Sequence, residues 1–152
     1  MGYHVSIVRT SGRRVIPIQL EEAKAALLVG NEWRFDEGQS AFAALGLPEG
    51  EEFIFLQDGE LWTKTPSEPM LCHMISAAQA LNARIRGDEL ETYESVDKSY
   101  VHPDDKEEFE KTQSEVAELI ARRKRRNYWL WIFRAILLVF LAVGVVRWWL
   151  RQ

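Results

Sequence analysis

The sequence predicts an α+β fold, in which two helices pack on a small antiparallel sheet and a helical stalk then continues into one C-terminal transmembrane helix. Short segments that alternate between apolar and polar residues indicate strands, and segments with apolar residues at helical spacing indicate helices. A long apolar run indicates a membrane span. The predicted parts are a soluble domain over 1–94, a linker over 95–103, a stalk helix over 104–126, a transmembrane helix over 127–149 and a tail over 150–152.

The first predicted elements form a ββα unit. Residues 3–9 alternate and predict a strand, which a turn at 11–13 connects to a short second strand interrupted by Pro17. Residues 19–29 predict a helix, because two glutamates lie in the first turn and apolar residues recur along one face. Gly30 follows as a stop signal.

A β-hairpin is the clearest local prediction. The Asp58-Gly59 pair separates two strand-like segments, 52–57 and 60–65, and this pair favours a turn with positive φ at both positions. Both faces of the hairpin carry apolar residues, so we expect one face to meet a helix. Residues 68–82 predict that helix, with Ser67 as its N-cap.

The remaining segments of the soluble domain give weaker patterns. Residues 32–35 fit either a strand or an ordered loop, and 40–45 form a short alanine-rich segment before a Gly/Pro-rich break. Residues 83–86 fit a further strand. After the polar linker, Asp104 can cap a stalk helix whose acidic start and basic end suit the helix dipole.

The predicted membrane segment reads YWLWIFRAILLVFLAVGVV over residues 128–146, nineteen residues with one charge, Arg134. At about 1.5 Å per residue it spans roughly the 30 Å of a hydrocarbon core. Aromatic side chains suited to the two interfaces flank it: Tyr128, Trp129, Trp131, Trp148 and Trp149. A buried core helix is the alternative, and the flanking aromatic and basic residues argue against it.

Basic residues set the predicted orientation. Five of them directly precede the membrane segment, namely Arg122, Arg123, Lys124, Arg125 and Arg126, and only two follow it. The positive-inside rule then places the N-terminal domain in the cytoplasm, at the inner side of a plasma membrane. Arg134 is close enough to the basic run for its side chain to reach the inner headgroups; contact with a partner helix or pore is the alternative.

Charge is divided sharply along the chain. Residues 1–121 contain all 23 acidic residues and 11 basic ones, a net −12, whereas 122–152 carry eight basic residues and a net +8. An acidic domain argues against nucleic-acid binding and favours a basic protein as partner, with simple solubility as the alternative reading. The single Cys72 excludes an internal disulfide and fits a reducing compartment.

No catalytic, cofactor or metal site is predicted. The three histidines and Cys72 lack metal-ligand spacing, and no nucleotide-binding or hydrolase motif occurs. One polar group is the candidate partner-binding site, and it consists of Asp88, Glu89, Glu91 and Tyr93. Its carboxylates suit acid–base work or cation binding as well, and an acidic surface turn is the simpler explanation.

Four segments together resemble a group of small bacterial α+β domains of uncharacterised function. They are YHVSIVR (3–9), PIQLEE (17–22), FIFLQDGELWTKTP (53–66) and AQALNARIRGDELETY (78–93). The resemblance covers residues 3–93, carries no established active site, and is similar in style to immunity proteins that neutralise toxins. It implies an immunity-like inhibitor with an added membrane anchor, located at a bacterial inner (plasma) membrane.

Three functions follow as hypotheses. The first is a membrane-anchored domain that binds a protein partner as an immunity-like inhibitor. The second is an adaptor or sensor that recruits a cytosolic protein, and the third is a membrane-tethered hydrolase that uses Asp88, Glu89 or Glu91. The sequence does not predict the oligomeric state.

Overall fold

An eight-stranded antiparallel sheet organises the first of the two compact units into which the chain divides, Met1–Phe109 and Glu110–Gln152. This computed structural model describes residues 3–12 and 14–149, and after residue 124 it describes only the side chains of Tyr128, Trp131 and Arg134. The strands are β1 (His4–Val8), β2 (Thr10–Ser11), β3 (Arg14–Val15), β4 (Trp33–Asp36), β5 (Ala41–Ala44), β6 (Phe53–Gln57), β7 (Glu60–Lys64), β8 (Arg84–Gly87), β9 (Glu91–Ser95) and β10 (Lys98–Val101). Strands β2 and β3 form a separate two-stranded ribbon.

Strand β1 lies near the centre of the large sheet, whose order is β10-β9-β8-β1-β7-β6-β5-β4. It pairs antiparallel with β7 on one side and with β8 on the other. The predicted hairpin connects β6 to β7, and positive φ angles of 53° at Asp58 and 81° at Gly59 confirm its turn. The predicted α+β class with an antiparallel sheet is therefore confirmed.

Two helices cover one face of the sheet. They are α1 (Leu20–Leu27), which continues into a 3₁₀ turn over Leu28–Gly30, and α2 (Glu68–Ala80). Helix α2 buries Met70 and Met74 completely, against strand residues such as Ile7 and Ile85. Burying side chains of this size stabilises the fold by about 1.5–3 kcal/mol each. The hydrophobic core therefore lies between the helices and this face.

The sheet is larger than the sequence predicts. Residues 32–35 and 40–45, which the sequence leaves open, overlap β4 and β5. The predicted linker 95–103 contains β10, which pairs with β9 at the edge of the sheet. Each of these strands is only four residues long, so pairing with neighbouring strands defines them more than their own apolar pattern does.

The predicted start of α2 is confirmed, whereas α3 begins later than predicted. Ser67 occupies the N-cap position of α2, but its side chain makes no capping hydrogen bond. The last helix, α3, comprises Lys106–Trp149 and begins after Asp104, the predicted cap. The Asp104 carboxylate accepts a hydrogen bond from Thr10 Oγ1 at 2.7 Å.

Candidate functional site

The sheet has a second face, opposite the helices, which we call the outer face. Ser6 lies near its centre, because it pairs with Trp62 of β7 and with Arg86 of β8. Phe55 of β6 pairs in turn with Trp62. Direct cross-strand partners point to the same side of a sheet, so these side chains share the outer face.

Four rings form a row along this face, and we call it the aromatic row. The ring of His4 lies edge-on to that of Trp62 at 5.5 Å between centroids, Trp62 lies 5.6 Å from Phe55, and Phe55 lies 6.3 Å from Phe53. All four side chains are partly exposed. Contacts of this geometry hold each ring in place and fix the shape of the surface.

Two small residues on the adjacent strand, β5, explain the position of the row. Ala41 pairs with Phe55 and Ala43 with Phe53, and both alanines are fully buried. The alanine methyl groups leave room for the larger rings to lie over β5. The Ala-rich segment of the sequence thus supports an apolar outer surface.

A cleft of about 500 Å³ opens at one end of the aromatic row. Its lining residues come from β1 and from the β6–β7 hairpin, and they are His4, Ser6, Gln57, Asp58, Glu60 and Trp62. The lining thus combines an indole ring with two carboxylates. Such a surface suits a positively charged group, which aromatic rings and carboxylates both attract.

A polar network fills the neighbouring part of the outer face. Arg84 Nη2 donates a hydrogen bond to Asp105 Oδ1 at 2.9 Å, and Arg84 Nη1 lies 2.6 Å from Asp105 Oδ2. Arg84 Nη1 also donates to Thr92 Oγ1, while Arg86 Nη2 lies 3.3 Å from Glu60 Oε1. The network attaches the segment just before α3 to the sheet.

The structure divides the predicted partner-binding group between two places. Asp88 and Glu89 are exposed in the turn after β8, and Asp88 Oδ2 accepts a hydrogen bond from the His4 backbone N–H at 2.7 Å. Glu91 and Tyr93 instead point toward the helix side of the sheet, because Tyr93 pairs with the buried Ile85. Two of the four residues therefore serve the interior of the domain.

Tyr93 is the centre of a small hydrogen-bond chain. Its hydroxyl donates to Glu91 Oε1 at 3.0 Å and lies 2.7 Å from the Tyr3 hydroxyl. Burial, helped by the hydrogen bond to Glu91 and by its negative charge, raises the pKa of Tyr93 to about 12. The absence of a side chain at Gly87 gives the Tyr3 and Glu91 oxygens room above its Cα.

The histidines and Cys72 do not form a metal centre. Among the described residues, no group of three His, Cys, Asp or Glu side chains could hold a metal ion. Cys72 is exposed, and the neighbouring His73 lies edge-on to Trp33 with its Nδ1 atom 3.8 Å from Glu32. His73 therefore has a packing role on the surface of α2.

The residues of the predicted membrane segment are described only in part. Tyr128, Trp131 and Arg134 are exposed, as are the topology residues Arg122, Arg123 and Lys124. The side chains of Trp129, Trp148, Trp149, Arg125 and Arg126 lie outside the described part of the chain. Within the part of the chain that the structure describes, no helix is long and apolar enough to span a bilayer.

The cleft was not predicted from the sequence, although one signal for it was present. Apolar residues on both faces of the hairpin indicated that one face would meet a helix, and Ile54 and Leu61 do so. The other face carries Phe55 and Trp62, which are partly exposed and do not belong to the hydrophobic core. An unmatched apolar face on a hairpin is thus a usable sign of a surface site.

Comparisons with known proteins give no relative. A scan of protein-family models, a search of curated proteins and a search of solved structures each find no match to this chain. Function must therefore be inferred from the geometry and charge of the chain itself.

Proposed function

We propose that this chain is a single-pass membrane-anchored protein whose acidic cytoplasmic domain binds a basic protein partner, as an immunity-like inhibitor of a toxin. The observation that carries the proposal is the division of charge, with a net −12 over 1–121 and a net +8 over 122–152. An anionic inner leaflet attracts the basic run and repels the acidic domain. The domain is thereby held away from the lipid and open to a partner.

The burial of the carboxylates supports a protein-binding role. Among the described acidic residues, only Glu52 and Asp105 are buried, so most of the negative charge lies at the surface. A surface of one sign speeds the encounter with a partner of the opposite sign, and this effect weakens as salt is added. The partly exposed aromatic row supplies the apolar contact area that stable interfaces need.

The membrane anchor rests on the sequence of residues 128–146 and on its flanks. The long helix α3 contains this segment, and its exposed Tyr128, Trp131 and Arg134 side chains are available to lipid headgroups. A stalk continuous with the membrane helix would keep the acidic domain clear of the bilayer.

The test is a co-purification from the native cell in mild detergent, with the intact protein beside a version that ends at Asn127. We expect a basic protein to be recovered with both forms and to be lost as ionic strength rises. A partner recovered only with the intact form would contradict the proposal, because recognition would then lie in the membrane segment. Recovery that is unchanged between low and high salt would contradict the electrostatic mechanism.

Membrane anchoring has its own test. We expect the intact protein to stay with the membrane fraction after an alkaline wash, and the version ending at Asn127 to be released. Release of both forms would contradict the anchor while leaving the acidic domain's binding role to the first experiment.

A further inference from the structure

We propose that the cleft at the end of the aromatic row receives an arginine side chain of the basic partner. This inference rests on the proposed function and adds to it the contact surface and the kind of side chain recognised. The cleft combines two features that suit a guanidinium group. They are an aromatic ring and nearby carboxylates.

The aromatic ring comes from Trp62. It is partly exposed, and its neighbours His4 and Phe55 hold it at 5.5 and 5.6 Å between ring centroids. A ring fixed in this way loses little side-chain entropy when a ligand stacks on it. Tryptophan gives the strongest cation–π attraction, and arginine takes part in such contacts more often than lysine.

The carboxylates come from the turn side of the cleft. Asp58 is exposed at the tip of the hairpin, and Glu60 lines the wall one residue beyond Gly59. Arg86 lies 3.3 Å from Glu60 and offsets its charge, because Asp105 is already paired with Arg84. Asp58 keeps the local charge negative.

Lys64 lies on the same face, opposite His4 in β1, but it does not line the cleft. It is four residues beyond Glu60 along β7, which puts it roughly 13 Å from the carboxylate end of the cleft at 3.3 Å per residue. None of the residues that line the cleft is a lysine or an arginine. We therefore expect the cleft to attract a positively charged group.

Arginine fits this surface better than lysine. Its planar guanidinium stacks on an aromatic face and donates several hydrogen bonds in the plane, where carboxylates can accept them. It is also more weakly hydrated than an ammonium group, so it leaves water at lower cost. Buried arginines and tryptophans are also the residues that most often dominate interface energies.

The probe is a hexa-arginine peptide titrated calorimetrically into the intact protein in non-ionic detergent at low salt, with hexa-lysine as the matched cation. We expect hexa-arginine to bind about tenfold more tightly than hexa-lysine, because only the guanidinium stacks on the indole ring. Equal binding of the two peptides would overturn the arginine assignment. Failure of both to bind the unaltered protein would contradict the proposed function itself.

Matched variants locate the binding site. Asp58→Asn keeps a residue that tolerates positive φ and should weaken hexa-arginine binding about fivefold. Glu49→Gln removes one exposed charge at the opposite end of β6 and should change binding less than about twofold. Equal losses from the two variants would show diffuse attraction to an acidic domain, which overturns the cleft and leaves the proposed function standing.

A second pair of variants tests the contribution of the aromatic ring. Trp62→Leu should weaken hexa-arginine binding about tenfold and abolish the preference over hexa-lysine, whereas Phe53→Leu, at the far end of the row, should preserve that preference. Trp62→Phe keeps a ring against Phe55 and is the variant to use if the leucine variant unfolds; it should retain part of the preference. A preference that survives both Trp62 variants would overturn the proposal.

One other occupant is tested in the same assay. The chain's own basic run at 122–126 is a cation that could fill the cleft in place of a partner. We expect a full-length variant with glutamine at these five positions to keep the same preference for hexa-arginine over hexa-lysine, because the loss of five positive charges strengthens the general attraction to both peptides. A larger preference for hexa-arginine in that variant would assign the cleft to the chain's own segment and would overturn the proposal.

Discussion

Arg84 and Asp105 form a buried ion pair that attaches the start of the last helix to the outer face of the sheet. Their side chains are only 12% and 6% exposed, and Arg84 Nη1 lies 2.6 Å from Asp105 Oδ2. Arg84 also donates a hydrogen bond to Thr92, which is buried in the neighbouring strand. The pair therefore fixes where the chain leaves the domain on its way to the basic run.

Replacing one member of this pair should strongly destabilise the domain. Asp105→Asn leaves the Arg84 charge buried without its counter-charge, and we expect the free energy of unfolding to fall by about 3 kcal/mol. Urea unfolding of the intact protein, followed by near-ultraviolet circular dichroism, measures this. Asp97→Asn, in the exposed β9–β10 turn, is the control and should change stability by less than about 0.5 kcal/mol.

The double variant Arg84→Met, Asp105→Leu separates two contributions to the free energy of unfolding. One is the cost of leaving a charge buried alone, and the other is the net stability that the ion pair contributes. We expect this double variant to be more stable than Asp105→Asn, because no charge remains buried alone. A double variant that is less stable than the single one would mean that the pair itself contributes net stability.

Local chemistry in the sequence predicts some elements of this fold and not others. The Asp58-Gly59 pair predicts the hairpin, and the spacing of apolar residues predicts α2. Both predictions succeed because turn geometry and helix period depend on residues that are close in sequence. Strands β9 and β10 escape prediction because they are polar and are defined by pairing with each other and with β8.

The candidate site could not be predicted for the same reason, because it depends on residues that are distant in sequence. The acidic group at residues 88–93 is contiguous in sequence, but strand alternation sends Glu91 and Tyr93 to the opposite face from Thr92. The cleft instead joins β1 to the β6–β7 hairpin, more than fifty residues apart in sequence. Only the register of β1 against β7, with Ser6 opposite Trp62, brings its residues together.

The hairpin turn depends on Gly59 for two separate reasons. Its φ is 81°, and a Cβ atom there would lie 2.5 Å from Pro17 Cβ and 2.7 Å from Pro17 Cα. Gly46→Ala is a matched control, because its φ is 86° and nothing lies within 4 Å of the added atom. We expect Gly46→Ala to cost about 1–2 kcal/mol from backbone strain, and Gly59→Ala to cost about 1–3 kcal/mol more from the collision.

Thermal unfolding of the two glycine variants measures the difference between them. Because the Gly59 carbonyl also accepts a hydrogen bond from Ile18 N–H at 2.9 Å, the collision should loosen the contact between the hairpin and the start of α1. Equal melting temperatures for the two variants would show that Pro17 moves aside at little cost.

Glu22 of α1 should make the free energy of unfolding fall at acid pH. Hydrogen bonds from the Arg9 guanidinium, whose Nη2 atom donates to Glu22 Oε2 at 2.9 Å, lower the pKa of Glu22 below its usual 4.5. A lowered folded-state pKa contributes stability that is complete above pH 4.5 and is lost as the pH falls through the folded value. Glu22→Gln should therefore flatten the acid limb of the unfolding free energy.

Glu21→Gln is the control for that measurement. Glu21 is the adjacent residue on α1, its side chain is 85% exposed, and its nearest cation, Lys24, lies 3.9 Å away. We expect this variant to keep the acid dependence of the unaltered protein, measured by urea unfolding between pH 3 and pH 6. The same flattening in both variants would mean that the acid limb comes from the general charge of the domain.

Tyr93 should make the free energy of unfolding fall at alkaline pH. Its pKa is raised to about 12 by burial and by the hydrogen bond to Glu91, against an ordinary value of 10. Tyrosinate is thus disfavoured in the folded state, so the contribution of Tyr93 is complete below pH 10 and is lost as the pH rises toward 12.

Near-ultraviolet absorbance should show one tyrosine that ionises near pH 12, and Tyr93→Phe should remove it together with the fall in unfolding free energy between pH 10 and 12. Tyr100→Phe, at an exposed tyrosine of β10, should leave both signals in place, and their loss in that variant instead would contradict the assignment to Tyr93.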